Sequence, residues 1–170
     1  MARVLTAESA RLARVAAGRG DPDATKGRVL ARVLGGRSYE EVGGAGTEYG
    51  ARLARAKISP EMRARLEWHR GQGHELVIVS ASLDVYLHEV ARVLAVDDTL
   101  CTTLHIDAGT CTGGLVGKNC RGPEKAERLR ALFGADDVEL WAYGDSSGDR
   151  EMLALADHPF RARGGRLTGA

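Results

Sequence analysis

The chain has 170 residues, 44% of them hydrophobic and 28% charged. That length fits one domain, or one core with a small appendage, and the composition excludes a disordered tail, a collagen-like chain and a coiled-coil rod. The 24 Lys/Arg against 23 Asp/Glu leave a net charge of +1, so there is no overall pull toward nucleic acid. No apolar run approaches the roughly 20 residues of a membrane span.

The charge is unevenly spread. Residues 1–57 hold 11 Lys/Arg and 6 Asp/Glu, and residues 58–170 hold 13 and 17. Two parts with different jobs are implied, the basic one being either a solvated arginine-rich surface or a face for an anionic ligand. Met1–Glu8 has no long apolar stretch before its first acid and does not read as a signal peptide. Cys101, Cys111 and Cys120 are an odd number without a C-x-x-C pair. They give neither a zinc site nor a disulfide framework. They read as small buried side chains in a reducing cytoplasm.

In chain order, Val4, Leu5, Leu12 and Val15 share one helical stripe, broken by Gly18–Pro22. A short helix is predicted over Ala24–Leu34, ended by Gly35-Gly36. Ser38, with Glu41 three residues on, caps a third helix. Gly43-Gly44-Ala45-Gly46 is expected to interrupt it before it resumes over Thr47–Lys57. Ser59-Pro60 places a cap and an N1 proline at the head of a helix reaching His69. Leu76–Ser80 is a short β-branched apolar run, predicted as a strand buried on both faces. An amphipathic helix follows over Leu83–Leu94. Leu100–Ile106 and Cys111–Val116 flank Asp107-Ala108-Gly109-Thr110 as a hairpin. A helix opens at Gly122-Pro123-Glu124 and runs to about Phe133. Val138–Tyr143 is a second buried strand, Arg150–Ala156 a helix and Pro159–Ala162 a last short strand. Trp68 and Trp141 are expected in the core. The five histidines, scattered along the sequence, are expected on the surface or in packing. Alternating strands and helices argue for a doubly wound α/β sheet, whose ligands sit beyond the carboxyl ends of its strands.

Three segments stand out at such ends. In Gly144-Asp145-Ser146-Ser147-Gly148-Asp149, an apolar strand runs into two carboxylates four residues apart, a hard-oxygen pair that suits Mg²⁺. The alternative is a loop with Asp149 as N-cap of the next helix. Ser80, ending an apolar strand, has a hydroxyl that can bond a phosphate oxygen, with the N–H groups of Ala81 and Ser82 beside it. Ser80 or Ser82 serves equally well as a helix cap. Lys125 stands at a helix N-terminus, where a cation opposes the helix dipole unless an anion offsets it, and the chain has only four lysines. The plain alternative is a solvated surface lysine.

Taken together and in order, Val77-Ile78-Val79-Ser80, Pro123-Glu124-Lys125-Ala126 and Tyr143-Gly144-Asp145-Ser146-Ser147-Gly148-Asp149 resemble motifs two, three and four of the haloacid dehalogenase superfamily of phosphatases, most nearly its phosphoserine-phosphatase-like members. The resemblance covers about residues 59–162. It implies a Rossmann-like, doubly wound, mainly parallel α/β core over residues 59–170 and a small helical cap over residues 1–58. It implies Mg²⁺-dependent hydrolysis of a small-molecule phosphomonoester, with no nucleic-acid or membrane partner. An aspartate attacks phosphorus and water then hydrolyses the aspartyl-phosphate. Ser80, Ala81, Ser82 and Lys125 would hold the transferring group. Asp145 would bind the metal directly, with Asp149 beside it or through water, and the metal neutralises phosphoryl charge. Lys125, Ser80 and Asp149 are thus the catalytic candidates.

The family's first motif, Asp-x-Asp-x-Thr after a buried strand, carries the nucleophile and the acid/base. Asp21-Pro22-Asp23-Ala24-Thr25 fits its letters but follows Ala16–Gly20, which is no buried strand. It reads as a turn before a helix. The chain therefore reads as beginning inside the cap, truncated before its nucleophile. In the family that first strand lies centrally, and adjacent strands are about 4.8 Å apart. Its absence predicts that the strands ending at Ser80 and Tyr143 either pair directly or leave an apolar slot. Two other readings stay open: a catalytically dead module that binds phosphate or a partner through the same edge, and an interaction module whose basic helical third meets an acidic partner. His74-Glu75 and His88-Glu89 lack the second histidine of a zinc protease, and no serine sits in G-x-S-x-G.

Overall fold

The computed structural model describes residues 21–135, 137–163 and 166–169; the helix read over Val4–Val15 lies outside them. Helix α1 spans Pro22–Val33, with Asp21 at its N-cap accepting from the Asp23 and Ala24 N–H groups. Asp21 thus does a cap's work, as a turn before a helix requires. Helix α2 spans Tyr39–Ala56 behind Ser38, which accepts from Glu40 N–H. It is continuous: the interruption expected at Gly43–Gly46 does not occur. Glycine propensity is overridden here by packing. A methyl at Gly46 would collide with the Val85 carbonyl, and one at Gly50 with the Tyr86 carbonyl. The glycines let two helices approach to backbone contact. Helix α3 spans Pro60–Gly71, capped by Ser59.

Strand β1 (Val77–Leu83) leads into α4 (Asp84–Leu94), and β2 (Asp98–Asp107) turns into β3 (Thr110–Val116). The turn needs positive φ at Ala108 and Gly109, as two-residue hairpins do. Helix α5 (Pro123–Phe133) precedes β4, which covers only Trp141–Gly144. A 3-10 turn (Ser147–Asp149) runs into the short α6 (Arg150–Leu153). Strands β5 (His158–Arg163) and β6 (Arg166–Gly169) close the order, β6 being a strand the sequence pattern does not announce.

The fold is mixed α/β, and its sheet is in two halves. One has the order β1-β2-β3, the other β4-β5-β6. β1 is parallel to β2 and β4 to β5, while the β2–β3 and β5–β6 pairs are antiparallel. Among the described residues no strand pairs with the second edge of β1 or of β4. These edges instead face a cavity of about 710 Å³, lined by Val77, Ile78 and Val79 on one side and Trp141, Ala142 and Tyr143 on the other. Of the two expected outcomes, direct pairing of β1 with β4 is absent among the described residues, and an apolar slot separates them there. It also corrects the expectation of strands buried on both faces: every β1 residue except Leu83 is only half-buried.

Among the described residues, three separate apolar clusters stand in for one core. Leu87, Val90 and Leu94 of α4 pack with Ala54 and Cys101; Leu129, Met152 and Leu153 pack with Ala142; Val42 packs with Leu104 and Cys111. Trp68 is 40% exposed rather than in the core. The histidines are less scattered than the sequence suggests. His69 Nδ1 lies 2.8 Å from His74 Nδ1, its Nε2 lies 2.8 Å from the Tyr143 hydroxyl, and His158 stacks on Trp141. Burial, then His74 and Arg65, hold the His69 imidazole below its ordinary pKa. Among the described residues no helix is long and apolar enough to cross a membrane.

Candidate functional site

The pairing of β1 with β2 slips between Val79 and Leu83, so Ser80-Ala81-Ser82 bulges out of the strand. Ser80 does not end the strand, as the sequence suggested; it opens a bulge within it, a device that re-aims side chains beside sites. Ser82 N–H donates to Ser80 Oγ at 3.1 Å. That bond occupies a lone pair and leaves the hydroxyl hydrogen to be donated elsewhere.

Lys125 lies in the first turn of α5 and is only 7% exposed. Its Nζ donates to the Val79 carbonyl at 2.7 Å and to Asp149 Oδ1 at 2.5 Å. A single side chain thus ties the end of β1 to the loop after β4. The anion that offsets this lysine at a helix N-terminus is internal, Asp149. The other Asp149 oxygen accepts from Ser146 N–H (2.9 Å), Ser146 Oγ (2.7 Å) and Asp145 N–H (3.2 Å). Burial acts to raise the Asp149 carboxyl, but the hydrogen bonds from Lys125 and Ser146 and the Lys125 charge outweigh it and hold the pKa below its ordinary value. Gly144 makes room for this fold-back: a Cβ there would stand 2.6 Å from Asp149 Cβ. Asp149 holds the N-cap position of α6 yet makes no cap bond to that helix.

Asp145 is exposed, and among the described residues its carboxylate has no hydrogen-bond or salt-bridge partner. The stem of Arg121 crosses the loop at Gly148, where a Cβ would come within 3.0 Å of Arg121 Cγ. Ser80, Ala81, Ser82, Lys125, Asp145 and Asp149 all line one open cavity of about 330 Å³ at the carboxyl ends of β1 and β4. Every site residue singled out in the sequence is therefore brought to one place. Tyr86, Arg121, Ser146 and Gly148 join them there. Sequence reasoning missed these four; for Ser146 the signal was its place inside the Gly-Asp-x-x-x-Asp loop.

An open carboxylate beside a polar cavity fits the way Mg²⁺ is held, by one or two carboxylates, phosphate oxygens and retained waters. Asp145 offers such an open carboxylate. Asp149 accepts hydrogen bonds through both of its oxygens, and among the described residues no three His, Cys, Asp or Glu side chains converge on a common point. All three cysteines are buried, and burial raises their thiol pKa, that of Cys101 to about 11.

The family model for haloacid dehalogenase-like hydrolases matches residues 2–154. The chain belongs to that family. Protein CicA of Caulobacter vibrioides is 38% identical over 133 residues, which are 78% of this chain and 60% of CicA. Phosphoserine phosphatase SerB1 of Mycobacterium tuberculosis is 30% identical over 123 residues, 71% of this chain and 40% of SerB1. The chain thus spans less than two thirds of the length of these relatives. A Bordetella pertussis protein whose crystal structure was described without a function superposes with a TM-score of 0.74 at 20% identity, over 93% of this chain and 73% of that one. At that identity the likeness speaks for the fold.

Proposed function

We propose that this chain is the phosphate-holding part of a Mg²⁺-dependent phosphomonoester hydrolase of the phosphoserine-phosphatase-like type, working in the cytoplasm, with residues 1–58 as cap and residues 59–170 as core. The observation that carries the reading is the Lys125 ammonium, pinned by Val79 and Asp149 at the wall of the cavity that Ser80 and Asp145 share. An ammonium has three donors. Two are used within the chain, and the third is available to a phosphoryl oxygen. Ser80, its lone pair occupied by Ser82 N–H, donates its hydroxyl hydrogen to a second oxygen. Asp149 keeps the lysine charged and in place, so positive charge is already organised where negative charge gathers in the transition state. Mg²⁺ held by Asp145 would neutralise further phosphoryl charge.

No attacking carboxylate stands among these residues. In this reading it belongs to a segment seated between β1 and β4, in the apolar slot. The test is hydrolysis of an aryl phosphate with Mg²⁺. The 170-residue chain should not turn over. A version extended upstream by an apolar strand ending in Asp-x-Asp-x-Thr should, and Lys125→Ala or Asp145→Ala in it should abolish turnover. Robust activity of the short chain that is lost in Asp21→Asn would overturn the reading. Phosphate binding without turnover in the extended chain would favour the catalytically dead module instead.

A further inference from the structure

Lys26 is one of the chain's four lysines and belongs to none of the sequence motifs. It lies on α1, half-buried, and its Nζ donates to the Ala81 carbonyl at 2.5 Å and to Asn119 Oδ1 at 2.6 Å. Asn119 in turn donates from Nδ2 to Asp23 Oδ1 at 2.6 Å, and it accepts from the fully buried Thr102 hydroxyl at 2.8 Å. Thr102 Oγ1 also accepts from Cys120 N–H at 3.0 Å. Burial pulls the Lys26 ammonium below its ordinary pKa, opposed by the charge of Asp23. A cation held against two neutral oxygens at such a cost is not there for solubility.

What it holds is the middle of the bulge. The Ala81–Ser82 peptide bond is trans, so the carbonyl of Ala81 and the N–H of Ser82 point in opposite directions within one plane. Turning the Ala81 carbonyl toward α1 turns Ser82 N–H the other way, onto Ser80 Oγ, where it is found. That bond decides what the Ser80 hydroxyl does: with a lone pair occupied, the group is set to donate. The line of cause runs from Lys26 through one peptide plane to the hydroxyl that lines the cavity. Lys26 does not line that cavity itself.

We propose that Lys26 is a positioning residue for the anion site: by fixing the Ala81–Ser82 peptide from α1, it sets Ser80 to donate to phosphate and makes phosphate binding depend on the docking of α1. This rests on the reading of the cavity as a phosphate site. Lys26→Met keeps the stem and removes the charge and donors. Lys26→Arg keeps both. Lys118→Met, at a lysine 76% exposed, is the control for loss of a positive charge. Calorimetry with inorganic phosphate and MgCl₂ should show Lys26→Met weakening binding about tenfold, the scale of one charged hydrogen bond. Lys26→Arg should recover most of it, and Lys118→Met should leave it unchanged. Amide hydrogen exchange gives a readout that needs no ligand. Protection at Ser82 should fall in Lys26→Met and return in Lys26→Arg, with the β4 and β5 amides unaffected. Unchanged phosphate affinity together with full Ser82 protection in Lys26→Met would overturn the proposal. If the parent chain binds no phosphate, the phosphatase reading fails, and the Ser82 amide still decides whether Lys26 sets the bulge.

Discussion

The same two strands, β1 and β4, present two contrasting regions. At their carboxyl ends lies a polar edge in which the buried charges are matched: Lys125 bonds Val79 and Asp149, and Asp149 bonds Ser146 and the Asp145 backbone. Along their lengths lies a slot of about 710 Å³ in which two strand edges and a run of aliphatic side chains meet no partner among the described residues. The contrast teaches that the charge geometry of this site does not depend on a continuous sheet. It is built by side chains that reach between the halves, above all by Lys125. A buried pair is held by its own hydrogen bonds and its mutual charge, whereas a sheet edge is satisfied only when another backbone arrives.

The sharpest way to break the comparison is Lys125→Met, which leaves the Asp149 carboxylate buried without its counter-charge. Removing one partner of a buried pair costs about 3–5 kcal/mol, so denaturant unfolding should show a loss of that size. The pair also sets an acid limit. The Asp149 carboxyl is held low in the folded chain, so its stabilising effect is full above the ordinary carboxylate value and disappears as the pH falls through the lowered one. In Lys125→Met the acid unfolding midpoint should move to higher pH. The slot gives the next effect. Leu104, 2% exposed on β2 and packed against Val42, should cost about 2–5 kcal/mol when cut to alanine, as packed leucines do. Leu132, which lines the slot and is 36% exposed, should cost under about 1 kcal/mol, because fewer neighbours are lost. Equal losses at the two positions would mean that the slot is packed in solution. The smallest effect sharpens the contrast: Asp145→Ala should change stability by no more than about 0.5 kcal/mol, yet remove the Mg²⁺ dependence of phosphate binding measured by calorimetry.

Much of this was legible in the sequence because it is local. Ser59-Pro60 fixes a helix start whatever surrounds it, the Ala108-Gly109 turn pairs β2 with β3, and the apolar runs before Ser80 and Gly144 mark strands whose carboxyl-terminal parts line the cavity. The ordered Ser80, Lys125 and Asp145/Asp149 signals led to one cavity. What failed to show depends on contacts made at long range. Gly43–Gly46 looks like a break until Val85 and Tyr86 are known to press against α2. The bulge at Ser80 depends on a register slip against β2. Asp149 reads as a metal ligand or a cap from its spacing, and only the fold shows one of its oxygens bonded by Lys125 and the other by Ser146 and the Asp145 N–H. Lys26 meets partners 55 and 93 residues away, a distance over which no spacing rule operates.

The aromatic cluster at the rim of the slot has an optical consequence. Trp68 and Trp141 are the chain's two tryptophans, their ring centroids are 5.3 Å apart, and Trp141 faces the slot. Two indoles so close and tilted share their excitation, so the exciton couplet of the unlabelled protein in circular dichroism reports on one spot alone: the seam between the half-sheets.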